Sequence, residues 1–377
     1  MRIVFFGTYM NTDAYPVNLV LLRGLRAAGC DLVECREDLW QGFLHRALGR
    51  GAGAWLRLAL RALGRYVKLV WRYGRCSRHE VVVVGYPGYI DIVIARLLNV
   101  FSRRLLVLVS FLSLYDTAVL DRGQGGKGSL RARLFYAIDR LAFRSADWVL
   151  VDTDALALYY AELFKLPLSK FRKSLVGNVF DAYEPSDIRP PGTPFRVLFF
   201  GTYVPLQGAE FIVAAAEVLR EEEVEFEIVG SGQDYEVVRR RAEESRLKRV
   251  HFVDEWYSVD QLAERMRRAD VCLGIFGTTP KAGRVIPYKV FGALALRRPV
   301  ITRDSPAIRE LLVDGESALL CPAGDGGALA ESIDRLRRNP ELAAHVAQRG
   351  YDSYRQYASA EAIGRNLQLA LENARVA

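Results

Sequence analysis

Cysteine is scarce in this chain and never paired. Its five cysteines (Cys30, Cys35, Cys76, Cys272 and Cys321) are scattered with no CxxC spacing. That fits reduced thiols in a cytoplasmic protein better than a disulfide framework or a zinc site. Long apolar runs are missing too. The longest, around residues 105–114, is about half of what a membrane-crossing helix needs. The apolar start is too short for a secretory leader and runs straight into Gly7, Thr8 and Tyr9. These absences predict a soluble protein, or one that lies on a membrane without crossing it. No zinc-finger, KH or RRM pattern and no stacked aromatic platform is found, which argues against nucleic acid.

Negative charge is absent from one stretch. No acidic residue falls between Asp38 and Glu80, yet nine Lys/Arg do. Arg57, Arg61, Arg65, Lys68 and Arg72 recur at helical spacing. Leu56, Leu60, Leu63, Val67 and Val70 fill a neighbouring arc, with Trp55 and Trp71 at its ends. A basic amphipathic helix with tryptophans suits an anionic membrane surface. The alternative is an ordinary surface helix whose apolar arc packs on a sheet. Uncompensated cations repel one another unless an anionic partner is present, which favours the membrane. The formal net charge of +8 also suggests an anionic partner.

What is present is a repeat. RIVFFGTY at residues 2–9 returns as RVLFFGTY at residues 196–203. Each copy is a short apolar run ending on glycine, the pattern of a first buried strand in a parallel α/β domain. With 377 residues, half of them hydrophobic, two domains of ordinary size are expected. Strands are predicted at residues 31–35, 81–84, 105–109 and 148–151, with helices between them. A linker carrying four prolines spans residues 183–194. The pattern then restarts, with strands at 226–229, 249–253, 271–275, 299–302 and 318–321. Alternating strand and helix predicts α/β architecture with two Rossmann-like domains facing a cleft. The expected bounds are 1–185, 195–352 and a C-terminal helix within 353–377 that crosses back to the first domain.

Ligands in such folds bind at the C-terminal ends of the strands, where helix N-termini offer free N–H groups to phosphate. The second half has three such loops: 201–208 (with Gly201, Thr202, Gln207 and Gly208), 230–233 (with Ser231 and Gly232) and 277–289. The last carries Lys281, Arg284 and Lys289, with Pro287 near a helix start. Three cations there suit a diphosphate; the alternative is a solvated basic loop.

The segments FFGTYVPLQGAEFIVAAAEVL, FEIVGSGQD, VHFVDEW, ADVCLGIF, IPYKVFGALALRRPVIT and IRELLVDGESALLCPAGD run in order through residues 195–325. They resemble the donor-binding domain of GT-B glycosyltransferases of family 4. RIVFFGTY, VVVVGYPGY and SLYDTAVLDRG resemble the acceptor domain more loosely. The resemblance implies a retaining, metal-independent sugar transfer, without cofactor, from a nucleotide diphosphate sugar to a hydroxyl acceptor. A surface glycan or glycolipid, or a lipid-linked acceptor on the inner face of the cell membrane, would fit. Lys289 matches a lysine frequent in the family, and Glu310 a glutamate of its C-terminal segment. The nucleobase would meet backbone near residues 253–257.

Departures from the family are specific. Its paired glutamates fall at Arg284 and Gly292, and neither is acidic. Thr202 and Gln207 stand near where an arginine and a lysine are usual. The usual acceptor-side histidine is not evident, since none of His45, His79, His251 and His345 follows a first-domain strand. Asp116 does follow such a strand and is the candidate to orient the acceptor; an N-cap or turn carboxylate is the alternative. Gly7, Thr8, Tyr9, Tyr86, Ser113 and Tyr115 complete the expected acceptor side. Asp152-Thr153-Asp154 spells DxD, but two carboxylates ending a strand are a weak metal signal. Two rivals to a transferase remain: an inactive GT-B partner or regulatory subunit, and a nucleotide-sugar epimerase.

Overall fold

The computed structural model describes all residues except 13–15, 40–51, 103, 124, 188–191, 256 and 377; at 52–59, 181 and 375–376 it describes the backbone course. The repeated octapeptide forms the pivotal strand of each of two parallel sheets. The first sheet holds β1 (Arg2–Gly7), β2 (Asp31–Arg36), β3 (Val81–Val84), β4 (Leu105–Val109), β5 (Trp148–Val151) and β6 (Phe171–Lys173), in the order β2-β1-β3-β4-β5-β6. The second holds β7 (Phe195–Phe200), β8 (Val224–Val229), β9 (Val250–Val253), β10 (Val271–Leu273), β11 (Val300–Arg303) and β12 (Leu319–Cys321), in the order β12-β11-β10-β7-β8-β9. Strand order therefore reverses beside β1 and beside β7. Each reversal opens a crevice at the C-terminal strand ends, where the two copies of Gly-Thr-Tyr stand. The pattern gave little sign of β6, whose three residues include Arg172 and Lys173 and only one buried apolar side chain.

The helices are α1 (Val17–Ala27), α2 (Ala52–Gly74), α3 (Tyr89–Leu98), α4 (Leu130–Ser145), α5 (Asp154–Phe164), α6 (Ala209–Val218), α7 (Tyr235–Glu244), α8 (Val259–Arg268), α9 (Tyr288–Ala295), α10 (Gly326–Arg338), α11 (Pro340–Ser353) and α12 (Ala360–Val376). One face of the first sheet is covered by α1 together with α12, through Val20, Leu21, Leu25, Ile363, Leu367 and Leu371. The C-terminal helix thus returns to the first domain. Two glycines allow the close approach: a Cβ on Gly24 would lie 2.1 Å from the Ala360 carbonyl oxygen, and one on Gly364 would lie 2.0 Å from the Gly24 backbone. The opposite face is covered by α2, α3, α4 and α5.

Helix α2 removes one alternative and corrects one expectation. Among its described side chains Leu69 and Tyr73 are buried and Tyr66 is half-buried, while the apolar arc faces outward instead of packing on the sheet. Leu60, Leu63, Val67 and Trp71 are 61%, 64%, 63% and 59% exposed. The cations are also less free than the stretch suggested. Glu37, one residue past β2 and buried, pairs with Arg65 (2.9 Å), Lys68 (3.3 Å) and Arg72 (3.0 Å). Burial works to raise its carboxyl, but the bonds from Arg65, Arg72 and Lys68 prevail and hold it below the usual range. Counting acids only beyond Asp38 missed this partner. Arg61 remains exposed. The side chains of Trp55, Leu56 and Arg57 lie outside the described residues, as does His45. Among the described residues, no helix is long and apolar enough to cross a membrane.

Candidate active site between the two sheets

Three loops of the second half stack through glycines at the C-terminal ends of β7, β8 and β10. Gly208 caps α6 in the left-handed conformation (φ +67°), and a Cβ there would lie 2.4 Å from the Gly277 amide nitrogen. A non-glycine residue would part the two loops. The Tyr203 amide donates to the Ser231 carbonyl (3.0 Å), and Tyr203 bridges to Gly232, tying the first loop to the second. Thr202 is exposed between them. Pro287 is the N-cap of α9, and its fixed φ suits that entry.

Lys289, in the first turn of α9, points back into this stack. Its Nζ donates to Gln207 Oε1 (2.5 Å) and lies 3.6 Å from the centroid of the Phe199 ring. A Cβ on Gly201 would come within 2.8 Å of that Nζ. The residue is only 5% exposed, and among the described residues no carboxylate pairs with it. Burial alone pushes its ammonium well below the ordinary lysine range. The arrangement is a dry cationic point framed by backbone, of the kind an anionic oxygen would complete.

The other two cations of the 277–289 loop turn toward the first half. Lys281 Nζ donates to Thr117 Oγ1 (2.7 Å), and Arg284 Nη2 meets Asp116 Oδ1 at 3.0 Å. Thr279 donates to Asp121 (3.2 Å). Arg284 also stacks over Tyr159, 3.5 Å from its centroid, and its carbonyl accepts from Thr153 Oγ1 (2.5 Å). The three predicted cations are thus divided: Lys289 joins the loop at 201–208, whereas Lys281 and Arg284 clasp the first half. Asp116 lies within a π-helical turn, Tyr115–Asp121, and caps no helix, so the N-cap alternative falls while that of a turn carboxylate, here paired with Arg284, stands. Burial raises its carboxyl, and Lys281 and Arg284 lower it in part. Its Oδ2 has no hydrogen-bond partner.

Glu310 belongs to the same junction. Its two oxygens accept from the amides of Asp154 (2.9 Å) and Ala155 (3.0 Å), and Lys173 pairs with it at 3.1 Å. It caps α5 across the cleft, beside Thr153, whose Oγ1 accepts from Leu156 N (3.0 Å). Gly292 packs against the first half as well. A Cβ there would meet Asn178 Nδ2 and the Phe180 ring, both at 3.1 Å. Where the resemblance leads one to expect a carboxylate, the space holds Phe180.

The residues expected on the acceptor side follow β1, β3 and β4 of the first sheet, and Thr8, Tyr9 and Ser113 are buried there. The Thr8 amide and hydroxyl donate to Asp91 (2.8 and 3.1 Å), and Tyr66 of α2 hydrogen-bonds to both residues. Gly7 precedes this contact, and a Cβ on it would lie 2.6 Å from Asp91 Oδ2. Tyr9 donates to Glu34 (2.8 Å). Asn18, fully buried, joins the loops after β1 and β3: it donates to the Met10 and Tyr86 carbonyls and accepts from Tyr86 N. Ser113 and Tyr115 are held by Asp139 of α4. Asn18, Asp91 and Asp139 were not singled out from the sequence. Their signal was a lone polar residue among apolar ones, as in YIDIVIA and FYAIDRLAF.

Asp152 follows the last residue of β5, and Thr153 caps α5. Burial raises the Asp152 carboxyl to about 7. Among the described residues, no group of three or more His, Cys, Asp or Glu is placed to hold a metal. His79 is buried against Tyr73 (2.9 Å), and His251 pairs with Glu225 (3.0 Å), both away from the clasp.

Residues 194–339 match the family model "Glycosyl transferases group 1". This segment is a group 1 glycosyl transferase domain. Phosphatidyl-myo-inositol mannosyltransferase of Mycobacterium leprae is 33% identical over 165 residues, covering 43% of this chain and 42% of that protein. The chain spans about half the length of the curated relatives it matches. Among solved structures, sucrose-phosphate synthase of Thermosynechococcus elongatus superposes with a TM-score of 0.71 at 16% identity, covering 100% of both chains. Anabaena HepE, solved in complex with UDP, gives 0.68 at 15% identity, covering 99% of this chain and 100% of that one. At such identities the likeness shows the fold, which is GT-B.

Proposed function

We propose that the chain is a retaining GT-B glycosyltransferase of family 4, taking a nucleotide diphosphate sugar as donor and a hydroxyl group as acceptor. The observation that carries this reading is the buried, acid-free Lys289 at the glycine-framed loop 201–208. A diphosphate seated there would receive Lys289, the free amides of the α6 N-terminus and the dipole of α9. Those contacts stabilise the charge that develops as the bond from sugar C1 to the phosphate oxygen breaks. The acceptor oxygen forms the new bond to C1 on the same face, and its proton passes to the departing phosphate oxygen. The residues called on are cationic and neutral, and the reading requires no metal and no protein nucleophile. Asp116 is the residue proposed to orient the incoming hydroxyl, through the Oδ2 left without a partner while Oδ1 keeps Arg284.

Helix α2 is proposed to seat the protein on an anionic membrane surface, where a lipid-linked acceptor or growing surface glycan would lie. Its outward Leu60, Leu63, Val67 and Trp71 beside exposed Arg61 support this. That places the enzyme peripherally on the cytoplasmic face of the cell membrane. The Mycobacterium leprae relative's name, a mannosyltransferase acting on a phosphatidylinositol, accords with a lipid acceptor. One observation favours a second reading. Asn178 and Phe180 line the place where the family resemblance puts a glutamate at Gly292, an arrangement compatible with an inactive GT-B partner. Titration calorimetry with UDP-, GDP- and ADP-sugars separates the two, since only the transferase must bind a donor.

A further inference from the structure

Behind the clasp between the two halves stands a residue that touches neither Lys281 nor Arg284. Asp139, on α4 and fully buried, accepts from Ser113 Oγ (2.7 Å), Leu114 N (3.1 Å) and Tyr115 N (2.8 Å). Ser113 Oγ in turn accepts from the Asp116 amide (2.9 Å). Asp139 therefore gathers the free N–H groups at the start of the π-helical turn, and that turn presents Asp116, Thr117 and Asp121 to the second half. π-Helical turns are seldom stable alone and persist where surrounding contacts hold them. The chain of contacts runs Asp139–Ser113–Asp116–Arg284, from the back of α4 to the loop before α9.

We infer that Asp139 is a positioning residue: its ionised carboxylate sets the Tyr115–Asp121 turn so that Asp116 and Thr117 hold Arg284 and Lys281, and thereby fixes how the cleft closes. The link to sugar transfer rests on the function proposed above; the link to closure does not. An ionised carboxylate is acceptor-only and can serve all three donors. A proton on either oxygen would confront an N–H or the Ser113 hydroxyl, and the turn would lose part of its anchor. Burial raises the Asp139 carboxyl to about 6, opposed by the bonds from Ser113, Tyr115 and Leu114 and assisted by the charge of Asp116. The titratable groups facing it are Asp116 of the turn, Tyr89 of α3 and Tyr160 of α5. Burial pushes both tyrosines far above the neutral range, so they stay uncharged. Anchoring is thus half lost at about pH 6, is restored over the pH unit or so above it and fades below it.

The test is an interdomain distance, read by pulsed spin-label spectroscopy on the full chain without donor. Labels go on cysteines replacing the exposed Leu158 of α5 and Val237 of α7, with Cys76 changed to serine. Wild type at pH 7.5 should give one dominant short distance. Asp139→Asn should raise the open population on the order of tenfold, the effect of losing charge-assisted hydrogen bonds. Arg284→Ala should do the same, and the double variant should do no more than either single one. A step in the open population near pH 6 should appear in wild type and be absent in Asp139→Asn. If Asp139→Asn fails to fold by circular dichroism, Ser113→Ala, which cuts the same link, takes its place with the same expected opening. An unchanged distance in the variant, or additive effects with Arg284→Ala, would overturn the inference. Calorimetry that finds no donor would overturn the transferase reading and leave this result standing.

Discussion

Burial without a carboxylate lowers the hold of Lys289 on its own proton, and this has a measurable sign. In the empty site the ammonium is penalised; beside a diphosphate it is favoured. Donor binding should therefore favour the protonated form of Lys289, so binding should draw in a proton on the alkaline side of neutrality, below the ordinary lysine range. Calorimetry in buffers of different ionisation enthalpy reads this directly: wild type should take up more protons than Lys289→Met, by up to about one. Equal uptake in both would mean that the lysine keeps its charge in the empty site or stays away from the phosphates. The role of single residues was only partly legible in the sequence. Lys289 was named as one of three cations in its loop and as the match to a lysine frequent in the family. Arg284 and Lys281 looked equivalent to it, because sequence spacing cannot tell which side of a cleft a loop cation faces. Glu310 matched a position in a family pattern, yet here its carboxylate caps α5 of the opposite half.

At the scale of elements, strands and helices were legible where burial is two-sided and apolar. Val81–Val84 and the two pivotal octapeptides are examples. Phe171–Lys173 was not, because an edge strand with exposed Arg172 and Lys173 has no period to read. Helix α2 was legible as basic and amphipathic, but not in which stripe it buries. Tyr66, Leu69 and Tyr73 hold it to the sheet, leaving the leucine and valine arc outside. An outward apolar stripe beside cations predicts salt-sensitive binding to anionic vesicles. Leu63→Glu and Val67→Glu should each weaken co-sedimentation with phosphatidylserine-containing vesicles by about tenfold or more, given roughly 1.5–3 kcal/mol for burying such a side chain. Both positions are exposed, so the fold should survive. Undiminished binding, or none by wild type at low salt, would remove α2 from the membrane account.

The whole molecule is two parallel sheets joined by a cleft and strapped at the back by α12. The duplication of RIVFFGTY announced the twin sheets, and the tail's periodicity announced a helix. The return of the C-terminal helix to the first domain was expected; the contacts that seat it were hidden, because contacts between residues far apart in sequence leave no local period. Gly24 and Gly364 show this: each reads as a weak spot in a helix, yet together they allow α1 and α12 to touch. Replacing glycine by alanine inside a helix ordinarily stabilises by up to about 1 kcal/mol. Gly364→Ala should do the opposite, since its Cβ would fall 2.0 Å from the Gly24 backbone. A loss of about 1–3 kcal/mol is expected from overpacking, read as a lower midpoint in urea unfolding. A gain in stability would place α12 elsewhere.

The clasp, the strap and the glycine-framed loops all converge on one claim, that the cleft binds a sugar nucleotide through Lys289. The most direct measurement is titration of the purified chain with UDP-, GDP- and ADP-sugars, beside Lys289→Ala checked for intact fold. Wild type should bind at least one of them, and the variant should lose that binding. No binding to any donor, or equal binding by wild type and variant, would contradict the account.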